Sequence, residues 1–299
     1  MRRPDARALL AAAVLLAPFA AGAAVRATDD RRGSEAFRFA DPEIAESSGL
    51  VVLSSGLVVT TNDSGDGARV FVVNPATGRT VRTPTWDGDP ADVEALAPAG
   101  RAGGQDSVWV ADIGDNRHVR DVVSLTLVPV GDGATQPATT YELRYPDGAR
   151  DAEALVTHPF TGRLFVITKG VFAGEVHEVP WPLAEDRPNR TTAVARVAGI
   201  VTDATFLPYG GVVVVRTYAR AVAYVYPEWE AVASWELPDQ LQGEGVAVDG
   251  TDLLLSSEGV NAQVLREPLP PQVLAADLTG SPVWQVWRLL PWVDWLATA

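Results

Sequence analysis

The chain has 299 residues, 47% of them hydrophobic, and a net charge of −14. That apolar content suffices for a large core, while the acidic balance argues against nucleic acid and anionic membrane surfaces as partners. No cysteine is present, which excludes disulfides, thiolate metal sites, cysteine nucleophiles and a lipidated N-terminal cysteine.

Arg2, Arg3 and Arg7 flank the start of an apolar stretch from Ala8 to Ala17, and Ala21-Gly22-Ala23 offers a small-residue cleavage site. That order of charge, apolar run and small residues reads as a secretion signal over residues 1–23, so a secreted, extracellular protein is expected. A polar linker follows over 24–35. From residue 36 to 272, short β-branched runs alternate with Gly, Pro and Asp, the pattern of strands and tight turns.

The runs fall into sets of four. Strands are expected at 51–52, 57–61, 70–73 and 80–83, then at 95–96, 108–111, 122–128 and 140–144. A third set covers 154–156, 164–168, 175–179 and 193–197, and a fourth 204–207, 212–216, 222–226 and 231–237. The fifth supplies only 246–248, 253–256 and 263–266, and the run at 36–39 is the candidate for its missing member. Each set opens on the same signature, a polar or acidic residue and a Gly or Ala, followed by an apolar residue within two positions: Ser48-Gly49, Glu94-Ala95, Glu153-Ala154, Asp203-Ala204 and Glu244-Gly245. Separations of 46, 59, 50 and 41 residues match propeller blades rather than helical solenoids. An all-β propeller of five blades, closed by an N-terminal strand that removes an open sheet edge, is the expected fold. A sixth blade stays open if 267–299 supply further strands. A two-sheet sandwich leaves the five like-patterned starts unexplained.

The C-terminal stretch, 273–299, differs in kind. Trp284, Trp287, Trp292 and Trp295 crowd an apolar tail broken by Pro291, too short to span a bilayer. Packing on the propeller is expected. Contact with a membrane surface is the weaker alternative, since Arg288 is its only cation.

If each signature opens an innermost strand, Ser48, Glu94, Glu153, Asp203 and Glu244 converge on one central channel. Residues two apart on a strand face the same way, so Glu46, Asp92, Asp151, Val201 and Gln242 would form a second ring above them. Crowded carboxylates cannot all ionise without compensation. Oxygen ligands in a flexible ring suit a hard cation, calcium rather than magnesium. The return turns bring Asn62, Asp63, Asp112, Asp115, Asn116, Arg117, Lys169, Arg216 and Glu258 to the same mouth. Lys169, Arg117 and Arg216 could grip an anionic or polyhydroxylated ligand there, although Asn, Asp and Gly also make turns for purely local reasons. The spacing Asn62-x-Ser64-x-Asp66-Gly67 is that of a calcium loop only in part, because position twelve is Val73 rather than Glu. No nucleophile elbow, P-loop or HExxH occurs.

Two functions are consistent with such a site. One is a secreted propeller whose calcium-holding channel binds an unidentified small-molecule or protein ligand at its mouth. The other is a metal-dependent hydrolase of phosphate esters or lactones, with Asp92 or Asp151 as general base. Both stay open at the level of the sequence.

The motifs NDSG (62–65), DIGDN (112–116), YPDG with DAEA (145–154) and ITKG (167–170) resemble those of a group of secreted bacterial β-propellers. The resemblance covers the first three blades well and the last two loosely. It implies a propeller fold and export. Labels in that group range from WD-like repeat to phytase-related esterase. The ring is also similar to that of calcium-activated apyrases, five-bladed nucleotidases that hold a central calcium with Ser and Glu side chains, one per blade. Ser48, Glu94, Glu153 and Glu244 fit that order, and Asp203 stands where a serine is expected. Gluconolactonase-type propellers share an acidic central metal but use a different residue set.

Overall fold

A computed structural model describes residues 33–102, 105–134 and 136–280. Among them the strands form five antiparallel sheets. The first strand, β1 (Ser34–Arg38), belongs to the last sheet. Blade 1 comprises β2 (Ser47–Val52), β3 (Val58–Asn62), β4 (Phe71–Asn74) and β5 (Arg79–Arg82). Blade 2 comprises β6 (Val93–Ala102), β7 (Gln105–Asp112), β8 (Val123–Pro129) and β9 (Thr139–Arg144). Blade 3 holds β10 (Ala152–Thr157), β11 (Leu164–Thr168), β12 (Ala173–Glu178) and, after the short β13 (Asn189–Arg190), β14 (Thr192–Ala198). Blade 4 holds β15 (Val201–Phe206), β16 (Val212–Thr217), β17 (Arg220–Val225) and β18 (Glu230–Glu236). Blade 5 holds β19 (Gly243–Asp249), β20 (Asp252–Ser257) and β21 (Gln263–Pro268), completed by β1. The fold is a five-bladed β-propeller.

Each inner strand lies against the next, in the order β2, β6, β10, β15, β19 and back to β2, so the ring is closed. The strand expected at 36–39 is β1, paired antiparallel with β21 from Ser34↔Arg266 to Arg38↔Gln263. That pairing covers an edge that would otherwise template association. The core is divided among five clusters, one in each gap between neighbouring blades. Val51, Val72, Leu96 and Val110 fill the gap between blades 1 and 2. Phe37, Leu50, Phe71 and Leu254 fill the seam between blades 5 and 1.

The small residue in the repeated signature has a packing cause. A Cβ on Gly49 would stand 2.5 Å from Leu96 N on the neighbouring inner strand, and one on Gly245 would stand 3.1 Å from Gly49 C. At these two points the inner strands crowd the axis so closely that Gly is required.

The polar residue before it has a different cause. All five inner strands are bulged at this point, with register slips between Ser47 and Gly49, Val93 and Ala95, Ala152 and Ala154, Val201 and Asp203, and Gly243 and Val246. A bulge leaves one residue outside the ladder and re-aims its side chain. That residue is Ser48, Glu94 and Glu153 in blades 1 to 3, but Thr202 in blade 4, where Asp203 is paired with Arg216. Thr202 Oγ1 donates to Glu244 O at 3.3 Å, as Ser48 Oγ donates to Glu94 O. Strict two-residue alternation therefore fails here, and the expected pair of stacked rings is not formed as two regular layers.

Two elements were not foreseen. Strand β13 adds to blade 2 in parallel with β9, and a helix, α1 (Pro271–Gly280), lies against β16, β17 and β18. Its buried Asp277 accepts hydrogen bonds from Tyr209 N (3.0 Å), Gly211 N (2.8 Å) and Val212 N (3.0 Å), fixing the turn between β15 and β16. The expected secretion signal over 1–23 and the tryptophan-rich stretch from 281 onward lie outside the described residues, and no described helix is long and apolar enough to cross a membrane.

Candidate functional site

The five signature side chains are all buried at the starts of the inner strands, but they are not equivalent. Ser48 Oγ donates to Glu94 O at 2.9 Å and, more weakly, to Glu94 Oε2 at 3.4 Å. Burial, and then the charge of Glu153, lift the Glu94 carboxyl well above the usual carboxylate range. Glu153 is likewise raised by burial but is opposed by Lys169, whose Nζ donates to Glu153 Oε1 at 2.8 Å. Burial and Glu153 push Glu244 up to about 8.

Lys169 is therefore an internal counter-ion. Burial works against its charge, yet the Glu153 hydrogen bond keeps its pKa above the ordinary lysine value. Its Nζ lies 5.9 Å from the centre of the Tyr218 ring, a contact of cation–π type. The lone lysine of the chain was expected to meet a ligand at the rim, and its first partner is instead a carboxylate of the ring.

Asp203 and Arg216 also have internal partners. Asp203 is fully buried and accepts from Ala204 N (2.8 Å) and Val246 N (2.7 Å), tying β15 to β19. Burial raises its pKa well above normal, against those bonds and the charge of Arg216. Arg216 is 1% exposed. Its guanidinium donates to Gly245 O (2.5 Å), Ser256 O (2.9 Å) and Gln240 Oε1 (2.5 Å). Burial lowers its pKa to about 10, so it stays charged at neutral pH. A Cβ on Gly243 would fall 2.1 Å from Arg216 Nη2. The expectation that Arg216 grips a ligand is corrected: it cross-links blades 4 and 5 from within.

A second acidic group lies on the other side of the channel, where the charges of Arg120 and Lys169 offset its crowding only in part. Asp63, Asp92 and Glu94 each present one carboxylate oxygen, and these three atoms lie within 4.8 Å of one another. Asp63 follows β3, and Asp92 and Glu94 straddle the start of β6, so the trio spans blades 1 and 2. Burial, then Asp63, push Asp92 up to about 6. Gly114 makes room for the cluster. A Cβ there would stand 2.4 Å from Asp92 Oδ2 and 2.6 Å from Glu94 Oε1.

The remaining rim residues divide into supports and exposed groups. Asp112 accepts from Asp92 N (2.9 Å) and Ala91 N (3.3 Å) and pairs with Arg120 at 2.8 Å. Asp115 accepts from Val119 N (3.0 Å) and Arg120 N (2.7 Å), and its own N–H donates to Asp151 Oδ1 at 2.8 Å. Asp151 is thus a buried anchor for the DIGDN loop. Asn62 is buried as well. Its Oδ1 accepts from Ala45 N and Glu46 N, both at 3.1 Å, while Nδ2 donates to Glu43 O at 2.8 Å. Asn116 and Arg117 are exposed at the loop tip. Glu258 accepts from Gln242 Nε2 at 2.5 Å, and burial, then Asp63 and Glu46, raise its pKa. Of the expected second ring, Asp92 and Asp151 point into useful positions, Val201 is buried, and Glu46 and Gln242 are exposed.

Sequence reasoning missed Arg120, Tyr218 and Gly114. A glycine between two acids in DIGDN was the available signal for the last, since a missing Cβ often marks a close approach. His158 and His177 are buried among aromatic side chains and take no part in the channel.

No family model and no curated protein matches the chain. Among solved structures it is similar to glutaminyl cyclase from Myxococcus xanthus, at 12% identity and a TM-score of 0.48 over 81% of this chain and 97% of that one. It is similar also to the Dos1 propeller, at 10% identity and a TM-score of 0.39 over 75% and 60% of the two chains. A third likeness is to an oxidoreductase from Thermus thermophilus described as a glucose dehydrogenase, at 14% identity and a TM-score of 0.42 over 79% and 99%. Likeness at this level says nothing about chemistry.

Proposed function

We propose that the channel holds a divalent cation, calcium, between blades 1 and 2, and that the filled site organises the rim to bind a ligand or partner. One observation carries this reading: three carboxylate oxygens, from Asp63, Asp92 and Glu94, gathered within 4.8 Å. Hard oxygen donors of this kind suit calcium, and Ser48 adjoins the trio through Glu94. Burial of Glu94 adds to the case, since a buried carboxylate without a cation is costly to ionise. Glu153, Asp203 and Glu244, also expected as ligands, support the site less directly, because Glu153 is paired with Lys169 and Asp203 with backbone N–H groups. The resemblance to calcium-activated apyrases is kept here only for Ser48 and Glu94.

Calorimetric titration of the chelated full chain with calcium tests the reading. One site is expected, lost in Glu94→Gln and in Asp92→Asn; absence of binding to the folded wild type removes it. Export belongs to the same reading, and a mature chain beginning after residue 23 is the expected result of mass spectrometry on the secreted protein.

A second reading is favoured by Asp92, whose pKa of about 6 suits a general base near neutral pH. Here the protein is a hydrolase, and the cation supplies polarisation of the scissile group. Turnover in a panel of phosphate esters and lactones, abolished by Asp92→Asn, would support it. Inertness towards the whole panel removes it.

A further inference from the structure

A cleft of about 450 Å³ lies outside the channel, where the linker from blade 1 crosses the flank of blade 2. That volume is within the usual range for small-molecule sites, roughly 300–1,000 Å³. One part of its lining is Trp86 with the carboxylates of Asp87 and Asp89. The facing part comes from β8 and β9, where Ser124 pairs with Glu142 and Thr126 with Thr140. The Thr126 and Thr140 hydroxyls bond to each other at 2.9 Å, leaving the Ser124 and Glu142 pair as the polar face, while Leu125 and Leu143, one position along, enter the core.

The chemistry of the lining excludes several ligands. Arg120 closes the inner end of the cleft, but its guanidinium is engaged by the Asp112 carboxylate (2.8 Å) and Gly114 O (2.6 Å). No free cation is left among the described lining residues to attract an anion. Pro90, Val110, Val122 and Val123 add an apolar part to the lining, so the fitting ligand has both a C–H face and polar groups, while a wholly apolar one would leave the hydroxyls and carboxylates without hydrogen bonds. The lining is rich in acceptors, and Trp86, which packs partly on the core between blades 1 and 2, is a firmly held flat surface. A matching ligand carries many O–H donors and one flat C–H face.

We propose that this cleft is a binding site for a neutral saccharide, one or two rings long, stacked on Trp86 and hydrogen-bonded by Asp87, Asp89, Ser124 and Glu142. The cleft shares Asp112 and Arg120 with the wall behind Asp92, but none of its four hydrogen-bonding side chains is a calcium ligand, and sugar binding does not depend on calcium.

The test is calorimetric titration of the full chain with maltose, cellobiose, lactose and N,N′-diacetylchitobiose, each with and without chelator. At least one is expected to bind with one-to-one stoichiometry and a dissociation constant at or below about 1 mM, unchanged by chelation. Trp86→Ala should weaken binding about tenfold or more, and Trp86→Phe should recover most of that loss. Because Trp86 also packs on the core, Glu142→Ala, at an exposed position, serves as the variant safe for folding, with an expected loss of about fivefold. The proposal is overturned by silence towards all four sugars. It is overturned equally by binding of the cationic probe agmatine in their place, by affinity untouched in Trp86→Phe, Trp86→Ala and Glu142→Ala, or by binding that requires calcium.

Discussion

The two halves of the channel solve the same electrostatic problem differently. On the side of blades 3 to 5, the buried acids have partners within the fold: Lys169 for Glu153, backbone N–H groups for Asp203, and the charge of Arg216 near both Asp203 and Glu244. On the side of blades 1 and 2, Asp63, Asp92 and Glu94 each bring one carboxylate oxygen within 4.8 Å of the others, and the charges of Arg120 and Lys169 offset burial and mutual repulsion only in part. Pseudo-symmetry in the sequence thus hides an asymmetry of charge. One half is balanced by groups of the fold, and the other is where calcium is proposed to bind.

Removing Arg216 should break the structural half most severely. Arg216→Met leaves three buried acceptors without their donor and Asp203 without its favouring charge, so a loss of about 3–5 kcal/mol is expected in denaturant unfolding. Calcium should not restore it. A loss below about 1 kcal/mol would mean that Arg216 is a rim group after all.

On the other half, Glu94→Gln should weaken calcium by about a hundredfold or more, equivalent to about 2.7 kcal/mol, while the chelated variant melts no lower than the wild type. Removing a buried carboxyl that resists ionisation costs the empty fold little. A variant that binds calcium as the wild type does would erase the contrast between the halves.

Lys169→Gln sharpens the comparison by making the structural half resemble the other. About 2 kcal/mol of stability should be lost with the charged hydrogen bond to Glu153, and added calcium should return part of it. Gly114→Ala is milder for the fold, because the intruding Cβ meets carboxylates rather than backbone. Calcium affinity is expected to fall about tenfold, or about 1.4 kcal/mol, with little change in melting temperature.

The smallest effect is a pH slope. Glu244 titrates near 4.5 when unfolded and at about 8 when folded, so the folded chain holds more protons between those values. Stability of the chelated protein should therefore be fullest below about pH 4.5 and decline as pH rises through about 8. Asp92, at about 6 against 3.8, adds to the same slope over a narrower window. Calcium should flatten the decline. Melting curves that rise with pH across this range under chelation would contradict both assignments.

Much of the architecture was legible in the residues themselves. Blade spacing and the closing strand follow from a repeated signature whose cause is local. The inner strands leave little room after the bulge, so Gly49, Ala95, Ala154 and Gly245 recur in step, whereas blade 4 has Asp203 there, held by Val246 N. Helix α1 and strand β13 carried no such periodic mark, and Asp277 looked like an ordinary polar residue until three backbone N–H groups were found around it.

The role of each acid could not be read in the same way. Glu94 and Glu153 open near-identical signatures, yet one joins Asp63 and Asp92 while the other is neutralised by Lys169. Arg216 and Lys169 looked alike as rim cations, but one faces the channel and the other lies inside a blade junction, held by Gly245 and Ser256. The sequence by itself determined the ring, because strand period and steric crowding act within a few residues. Only the tertiary structure decided which charges are already balanced, because Coulomb interactions and hydrogen bonds in a buried channel depend on distances between segments far apart in the chain.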